Sequence, residues 1–177
     1  MIGVLVSGAG SNLQALVDAA LPIAAVASNR HDAPALRRTA APTAAFELAD
    51  FSDREARDAA MADWLESHGV ELVVLAGYMH LLTPEFLDRY PDAVVNVHPS
   101  LLPAFPGAHA VEDQLAAGVA ESGATVHLVD RGVDSGPILA QERVPVRADD
   151  TPETLHARIK ELEHRLLPRI VGELCAR

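Results

Sequence analysis

Val94-Val95-Asn96-Val97-His98-Pro99-Ser100-Leu101-Leu102-Pro103, running on to Pro106-Gly107, is the stretch from which the rest of the chain is best read. It opens as an apolar, β-branched run, the pattern of a buried strand. It stops at Pro99, because proline has no N–H to give to a sheet. Asn96 and His98 are two apart, so on a strand they face the same way. One is an amide with two N–H donors, the other the side chain best suited to proton transfer near neutral pH. Both stand at a strand's C-terminal end, where open α/β sheets hold their ligands. An Asn-x-His pair also serves plain structural hydrogen bonding; the Pro-Ser-Leu-Leu-Pro that follows favours a site.

Working outward, Ile2 to Ser7 reads as a buried parallel strand, Gly8-Ala9-Gly10 as a tight turn, and Ser11 or Asn12 as the cap of a helix from Leu13 to about Ala20. Strand, glycine turn and helix N-terminus together suit an anion, because free backbone N–H groups and the helix dipole point at it. A tight turn without a ligand has the same pattern. A dinucleotide site is disfavoured: Leu13 stands where the third glycine would be, and the second strand, Ile23 to Ser28, ends in Asn29-Arg30 rather than an acid.

The remaining pattern alternates. Ala33 to Ala40 reads as a short helix and Ala44 to Leu48 as a weak strand. Asp53 to His68 reads as a helix with Ala56, Ala60 and Trp64 on its apolar face. Leu72 to Ala76 is a strand, followed by a helix that Thr83 caps and Pro84 opens. Val111 to Ala117 is a helix, Gly123 to Val129 and Ile138 to Val144 are strands, and Asp130 to Gly136 is a loop. The last helix opens at Thr151-Pro152-Glu153 and carries the stripe Leu155, Ile159, Leu162, Leu166, Ile170 and Leu174, with a bend expected at Pro168. The alternation predicts an α/β fold, a Rossmann-like, mostly parallel sheet with helices on both faces, formed by residues 1–177 as one domain.

Bulk properties narrow the partners. A net charge of −11 argues against a general nucleic-acid or membrane surface. No apolar run is long enough to span a bilayer. The first residues read as a strand rather than a signal peptide. The single cysteine, Cys175, excludes an internal disulfide and fits a reducing compartment.

The segments Asn96-Val-His98-Pro-Ser-Leu-Leu-Pro, Gly107 and Val133-Asp134-Ser-Gly136-Pro137, taken with Ser7-Gly-Ala-Gly-Ser-Asn12-Leu13, resemble the signature of the folate-dependent formyltransferases. The resemblance runs from residue 2 to about residue 171. It implies 10-formyltetrahydrofolate as formyl-donor cosubstrate and the amine of a phosphoribosylglycinamide as acceptor, small molecules only, no metal, and a cytoplasmic monomer or homodimer. It places Asn96, His98 and Asp134 at the chemistry. Gly10, Ser11, Asn12, Lys160 and Glu163 fall at the phosphoribosyl substrate. Arg54, Met79, His80, Leu81 and Leu82 fall at the folate, with Asn96, Asp130, Arg131, Gly132, Val133 and Asp134. His80 stands where the family often has arginine, which leaves a side-chain role there open, while backbone contacts could survive the change. The connection at Ala20-Leu21-Pro22 is shorter than usual for the family, and the sequence lacks C-terminal residues that many members carry; neither difference removes a motif.

The residues also constrain the chemistry directly. No serine or cysteine stands in a nucleophile setting, so for the formyl transfer that the resemblance implies a direct attack is expected, with the oxyanion held by Asn96 and a protonated His98; Asp134, which by itself could simply close a turn, is placed beside this histidine by the resemblance and would favour the imidazolium. No His-x-x-x-His or comparable spacing suggests zinc. A formyltetrahydrofolate hydrolase, in which water replaces the amine, is the alternative within the family; such enzymes usually carry a further N-terminal domain. A non-catalytic nucleotide-binding module is the alternative outside it. A tRNA formyltransferase would need an RNA-binding C-terminal domain.

Overall fold

The computed structural model describes residues 1–176. In chain order it contains β1 (Ile2–Val6), α1 (Ser11–Asp18), β2 (Ile23–Ser28), β3 (Thr43–Ala45), α2 (Arg54–Ser67), β4 (Leu72–Leu75), α3 (Pro84–Arg89), β5 (Val94–His98), α4 (Ala110–Ala117), β6 (Glu121–Leu128), β7 (Ile138–Pro145) and α5 (Pro152–Cys175). The seven strands form one sheet in the order β3-β2-β1-β4-β5-β6-β7. Pairings from β3 across to β5 are parallel, while β6 and β7 are antiparallel to their neighbours. The α/β class and the mostly parallel sheet are therefore as the sequence predicts.

The central strands are apolar on both sides because both faces are covered. Ile2, Val4 and Val6 of β1 pack with Leu13 and Leu16 of α1, Val111 of α4 and the α5 stripe, while Leu5 faces Met61, Ala62 and Leu65 of α2 and Phe86 of α3. Leu155, Ile159 and Leu166 on α5 are fully buried. Each such leucine or isoleucine contributes about 2–5 kcal/mol by the usual cost of truncation to alanine. The helix continues through Pro168, and Thr151 caps it by accepting from the Thr154 N–H.

The order of the strands positions the site. From β1 the chain moves outward to β2 and β3, then returns to place β4 on the other side of β1. The C-terminal ends of β1 and β4 thus open a crevice at the point where the winding reverses. Ser7 N–H donates to Gly77 O across it at 3.2 Å.

Several local expectations are corrected. Ser11 and Asn12 do not cap α1: Gly10 takes that position with φ 78°, and no side chain caps the helix. The Asn12 amide is drawn away, donating to Glu163 Oε2 at 3.0 Å. The expected helix at 33–40 is a single 3₁₀ turn at Pro34–Arg37, and the expected strand to Leu48 gives way after Ala45, with a 3₁₀ turn at Leu48–Asp50. β3 pairs only with β2, so little holds it longer. On α2 the buried face is Arg57, Asp58, Met61, Ala62 and Leu65; Ala60 and Trp64 lie at its margin. Two charged residues at the start of that face hid it from the hydrophobic pattern.

Candidate active site

A cleft of about 580 Å³ opens along the C-terminal ends of β1, β4 and β5. At one end lies the Gly8–Asn12 turn, with Lys160 and Glu163 of α5 beside it. In this turn Ala35 N–H donates to Gly8 O at 3.1 Å, and Arg38 donates to Ala9 O, so the loop is tied to the 3₁₀ turn behind it. With no capping side chain, the first-turn N–H groups of α1 remain available to an anion. Glu163 is only 4% exposed. Burial pushes its carboxyl above the ordinary value, against the opposing pull of Asn12 and Lys160.

At the other end the segment Gly77–Leu82 leaves β4, and the 130–134 loop faces it. Met79 and Leu81 are among the most exposed large apolar side chains of the described residues, at 67% and 59%. The 130–134 loop is shaped by Asp130, whose Oδ1 accepts from Gly132 N at 2.9 Å and from Ser135 Oγ at 2.7 Å.

Between the two ends lie Asn96, His98 and Asp134, brought together from β5 and from the loop between β6 and β7. His98 Nδ1 is 3.4 Å from Asp134 Oδ2, and its Nε2 is 2.8 Å from the Phe105 carbonyl, to which it donates. Asp134 sits in the left-handed region, φ 51°, and its Oδ2 accepts from Gly107 N at 2.8 Å. Burial works against the charged form of Asp134, yet the Gly107 N–H and the nearby His98 imidazole hold its carboxyl below the ordinary value. The loop carrying Phe105 and Gly107 is itself fixed: Ser100 Oγ donates to Ala104 O at 2.6 Å, Thr125 Oγ1 to Ser100 O at 2.6 Å, and Gln114 Nε2 to Pro99 O at 2.9 Å.

One member of the cluster, His127, was not among the expected site residues. His127 lies opposite Asn96 in the antiparallel register of β5 and β6. Its Nδ1 is 2.8 Å from Leu128 O and its Nε2 is 3.3 Å from Asn96 Nδ2 and 3.6 Å from Asp134 Oδ1. A carbonyl can only accept, so Nδ1 carries the hydrogen, and in the neutral ring Nε2 accepts from the Asn96 amide. His156 on α5 also lines the cleft, beside Lys160. Burial, then Lys160, lowers its pKa.

Two expected residues do not line the cleft. Arg131 pairs with Asp88 on α3 at 2.7 Å, both side chains exposed. Arg54 stands behind the rim, donating to Leu81 O at 2.9 Å. The other expected residues, Gly10, Ser11, Asn12, Met79, His80, Leu81, Leu82, Asp130, Gly132, Val133, Lys160 and Glu163, all form its walls. Among the described residues no group of three or more His, Cys, Asp or Glu side chains is arranged to hold a metal ion, and no helix is long and apolar enough to cross a membrane.

The sheet thus places a glycine turn with an uncapped helix N-terminus at one end of its crevice and an Asn–His–Asp cluster in the middle, the plan of a small-molecule site in an open α/β fold. The chain belongs to the formyl transferase family, whose model matches residues 1–171. It is 48% identical to a phosphoribosylglycinamide formyltransferase of Mycobacterium tuberculosis, over 97% of this chain and 83% of that one. It is 40% identical to the Bacillus subtilis protein of the same name, over 97% of this chain and 92% of that one. Its fold matches the crystal structure of phosphoribosylglycinamide formyltransferase from Streptococcus pneumoniae with a TM-score of 0.94 and 45% identity, covering 98% of this chain and 97% of that one.

Proposed function

We propose that this protein is a phosphoribosylglycinamide formyltransferase, moving the formyl group of 10-formyltetrahydrofolate to the amine of N1-(5-phosphoribosyl)glycinamide in purine biosynthesis. The observation that carries this is the placing of Asn96, His98 and Asp134 in one cleft, between an uncapped helix N-terminus and an apolar loop. The phosphate end of the acceptor binds at Gly10, Ser11 and Asn12, with Lys160 and Glu163 facing its ribose. The folate lies against Met79 to Leu82 and the 130–134 loop. Both substrates are small molecules; the protein acts in the cytoplasm as a monomer or homodimer.

The reaction is a direct displacement. The amine nitrogen forms a bond to the formyl carbon, and the carbonyl electron pair moves onto oxygen. That oxyanion meets the second N–H of the Asn96 amide and the Nδ1–H of His98, the only ring nitrogen of His98 not tied to a backbone carbonyl. Asp134, ionised and facing Nδ1, stabilises the imidazolium and through water takes the proton that the amine loses. Collapse of the tetrahedral intermediate breaks the bond to N10 of the folate, which leaves with a proton. Held side by side, the two substrates react as if within one molecule.

The test mixes protein, 10-formyltetrahydrofolate and the ribonucleotide, and follows loss of the formyl group. Loss that requires the amine is expected. Loss at the same rate without it would identify a hydrolase, and no loss a binding module.

Gly10 gives a second test. A Cβ there would lie 2.5 Å from Ala35 Cβ and 2.9 Å from Ala35 Cα, and the backbone is at φ +78°. Gly10→Ala must therefore move the phosphate turn. The expected cost is about 1–3 kcal/mol of stability, with KM for the ribonucleotide raised about tenfold or more through misplaced N–H donors. KM for the folate should stay within about twofold; an equal rise in both would make the turn merely structural.

A further inference from the structure

Arg57 and Asp58 are both fully buried on α2, with Arg57 NH2 2.7 Å from Asp58 Oδ1. Such a pair is weak evidence for stability, since removing two charges from water costs about as much as their attraction returns. Neighbours in sequence also do not normally face each other on a helix. What the pair does reach is the segment following β4. Arg57 NH1 lies 2.6 Å from His80 Nδ1, and Asp58 Oδ2 accepts from Thr83 N at 2.8 Å.

We propose that Arg57 is a positioning residue for the folate end of the cleft, acting through the imidazole of His80 to hold the Gly77–Leu82 segment in place. The inference rests on the reading of that segment as the folate site.

The hydrogen-bond logic supports it. A guanidinium only donates, so His80 Nδ1 must accept and the hydrogen must sit on Nε2. His80 Nε2 faces Asn29 Nδ2 at 3.2 Å, and Asn29 Oδ1 faces Ser7 Oγ at 2.6 Å. With Nε2 protonated, two donors would meet. Turning the Asn29 amide over, which keeps its shape, lets it accept from His80 and donate to Ser7 Oγ. Ser7 Oγ in turn accepts from Met79 N at 2.8 Å. The chain of bonds thus runs from the buried pair through His80 to the backbone amide of Met79. Arg54 holds the next carbonyl, Leu81 O, at 2.9 Å. Both ring nitrogens of His80 are engaged by the protein, so the side chain supports the segment rather than donating to a ligand.

Protonation of His80 breaks this arrangement, because an imidazolium cannot accept from Arg57. The groups facing it are Arg57, Arg54, Asp58 and the Tyr78 ring. Burial, then Arg57 and Arg54, lower its pKa, against Asp58. The contact is therefore intact at neutral pH and is lost only as pH falls below the ordinary imidazole value of about 6.5.

The test measures folate binding by calorimetry and both KM values, for His80→Ala, Arg57→Met, the double variant and His80→Asn. His80→Ala and Arg57→Met are each expected to weaken folate about tenfold. Ribonucleotide KM should stay within about twofold, and the double variant should be no worse than either single one. His80→Asn restores an acceptor for Arg57. It should bind folate nearly as wild type at pH 7.5 and lose the acid-side weakening that wild type shows. His80 is exposed, so its variants remain informative should Arg57→Met not fold. Additive losses, or no rescue by His80→Asn, would overturn the inference. A wild-type protein that binds no folate would instead overturn the proposed function.

Discussion

Asp134→Asn is expected to lower kcat about a thousandfold, within the range for losing a charge that serves proton transfer. Either KM should change only a few-fold. Asparagine keeps the shape, tolerates the left-handed backbone at φ 51°, and can still accept from Gly107 N–H through its carbonyl oxygen. What disappears is the negative charge 3.4 Å from His98 Nδ1. That charge matters most as His98 meets the developing oxyanion, so the loss falls on kcat. His98→Ala should be similarly damaging. The double variant, measured by single turnover, should be far less than additive, because the two residues act as a unit. Fully additive losses would mean that Asp134 works independently of His98, and the mechanism would be wrong. The sign of the Asp134 shift adds a check. Its lowered pKa keeps it ionised above the ordinary carboxylate value of about 3.9, so it should give the rate profile no acid limb above about pH 5.

Asn96→Asp should lower kcat about a hundred- to a thousandfold, the usual cost of losing one oxyanion donor. The substitution preserves volume and sits at the end of β5, so the unfolding temperature should move by only about a few degrees. His127 explains why the orientation of the amide matters. With Nδ1–H given to Leu128 O, its Nε2 accepts from Asn96 Nδ2, and the amide cannot turn over without losing that bond. The second amide hydrogen is left for the cleft. Aspartate replaces it with an acceptor and adds a negative charge where negative charge must form. A kcat within about tenfold of wild type would remove Asn96 from the oxyanion site.

Much of this is legible in the amino-acid sequence. The β-branched runs at Ile2–Val6, Leu72–Leu75 and Val94–His98, each ended by glycine or proline, identify the central strands because burial on both faces leaves a continuous apolar signal. The two-residue period of a strand turns Asn96 and His98 the same way, and the Pro-Ser-Leu-Leu-Pro after them favours a site over plain structural bonding. The resemblance then supplied Asp134, Lys160 and Glu163, and the cleft gathers all of them. Less was legible where a side chain's partner lies far away in sequence. Arg131 belongs to Asp88, 43 residues earlier, rather than to the cleft.

The amino-acid sequence by itself determined the elements and the chemical inventory, since periodicity, turn residues and caps act within a few residues of one another. The tertiary structure alone decided the pairings. His127 joins Asn96 only because β6 runs antiparallel beside β5, a choice no local pattern encodes. Asn12 turns its amide not to its own helix but to Glu163, 151 residues further on, while Gly10 takes the N-cap position of α1. Arg57 and Asp58 look like surface charges on a helix until α2 is laid on the sheet, where they are buried beneath His80 and Thr83. In each case the deciding interaction links segments that only the folded sheet brings within hydrogen-bonding distance.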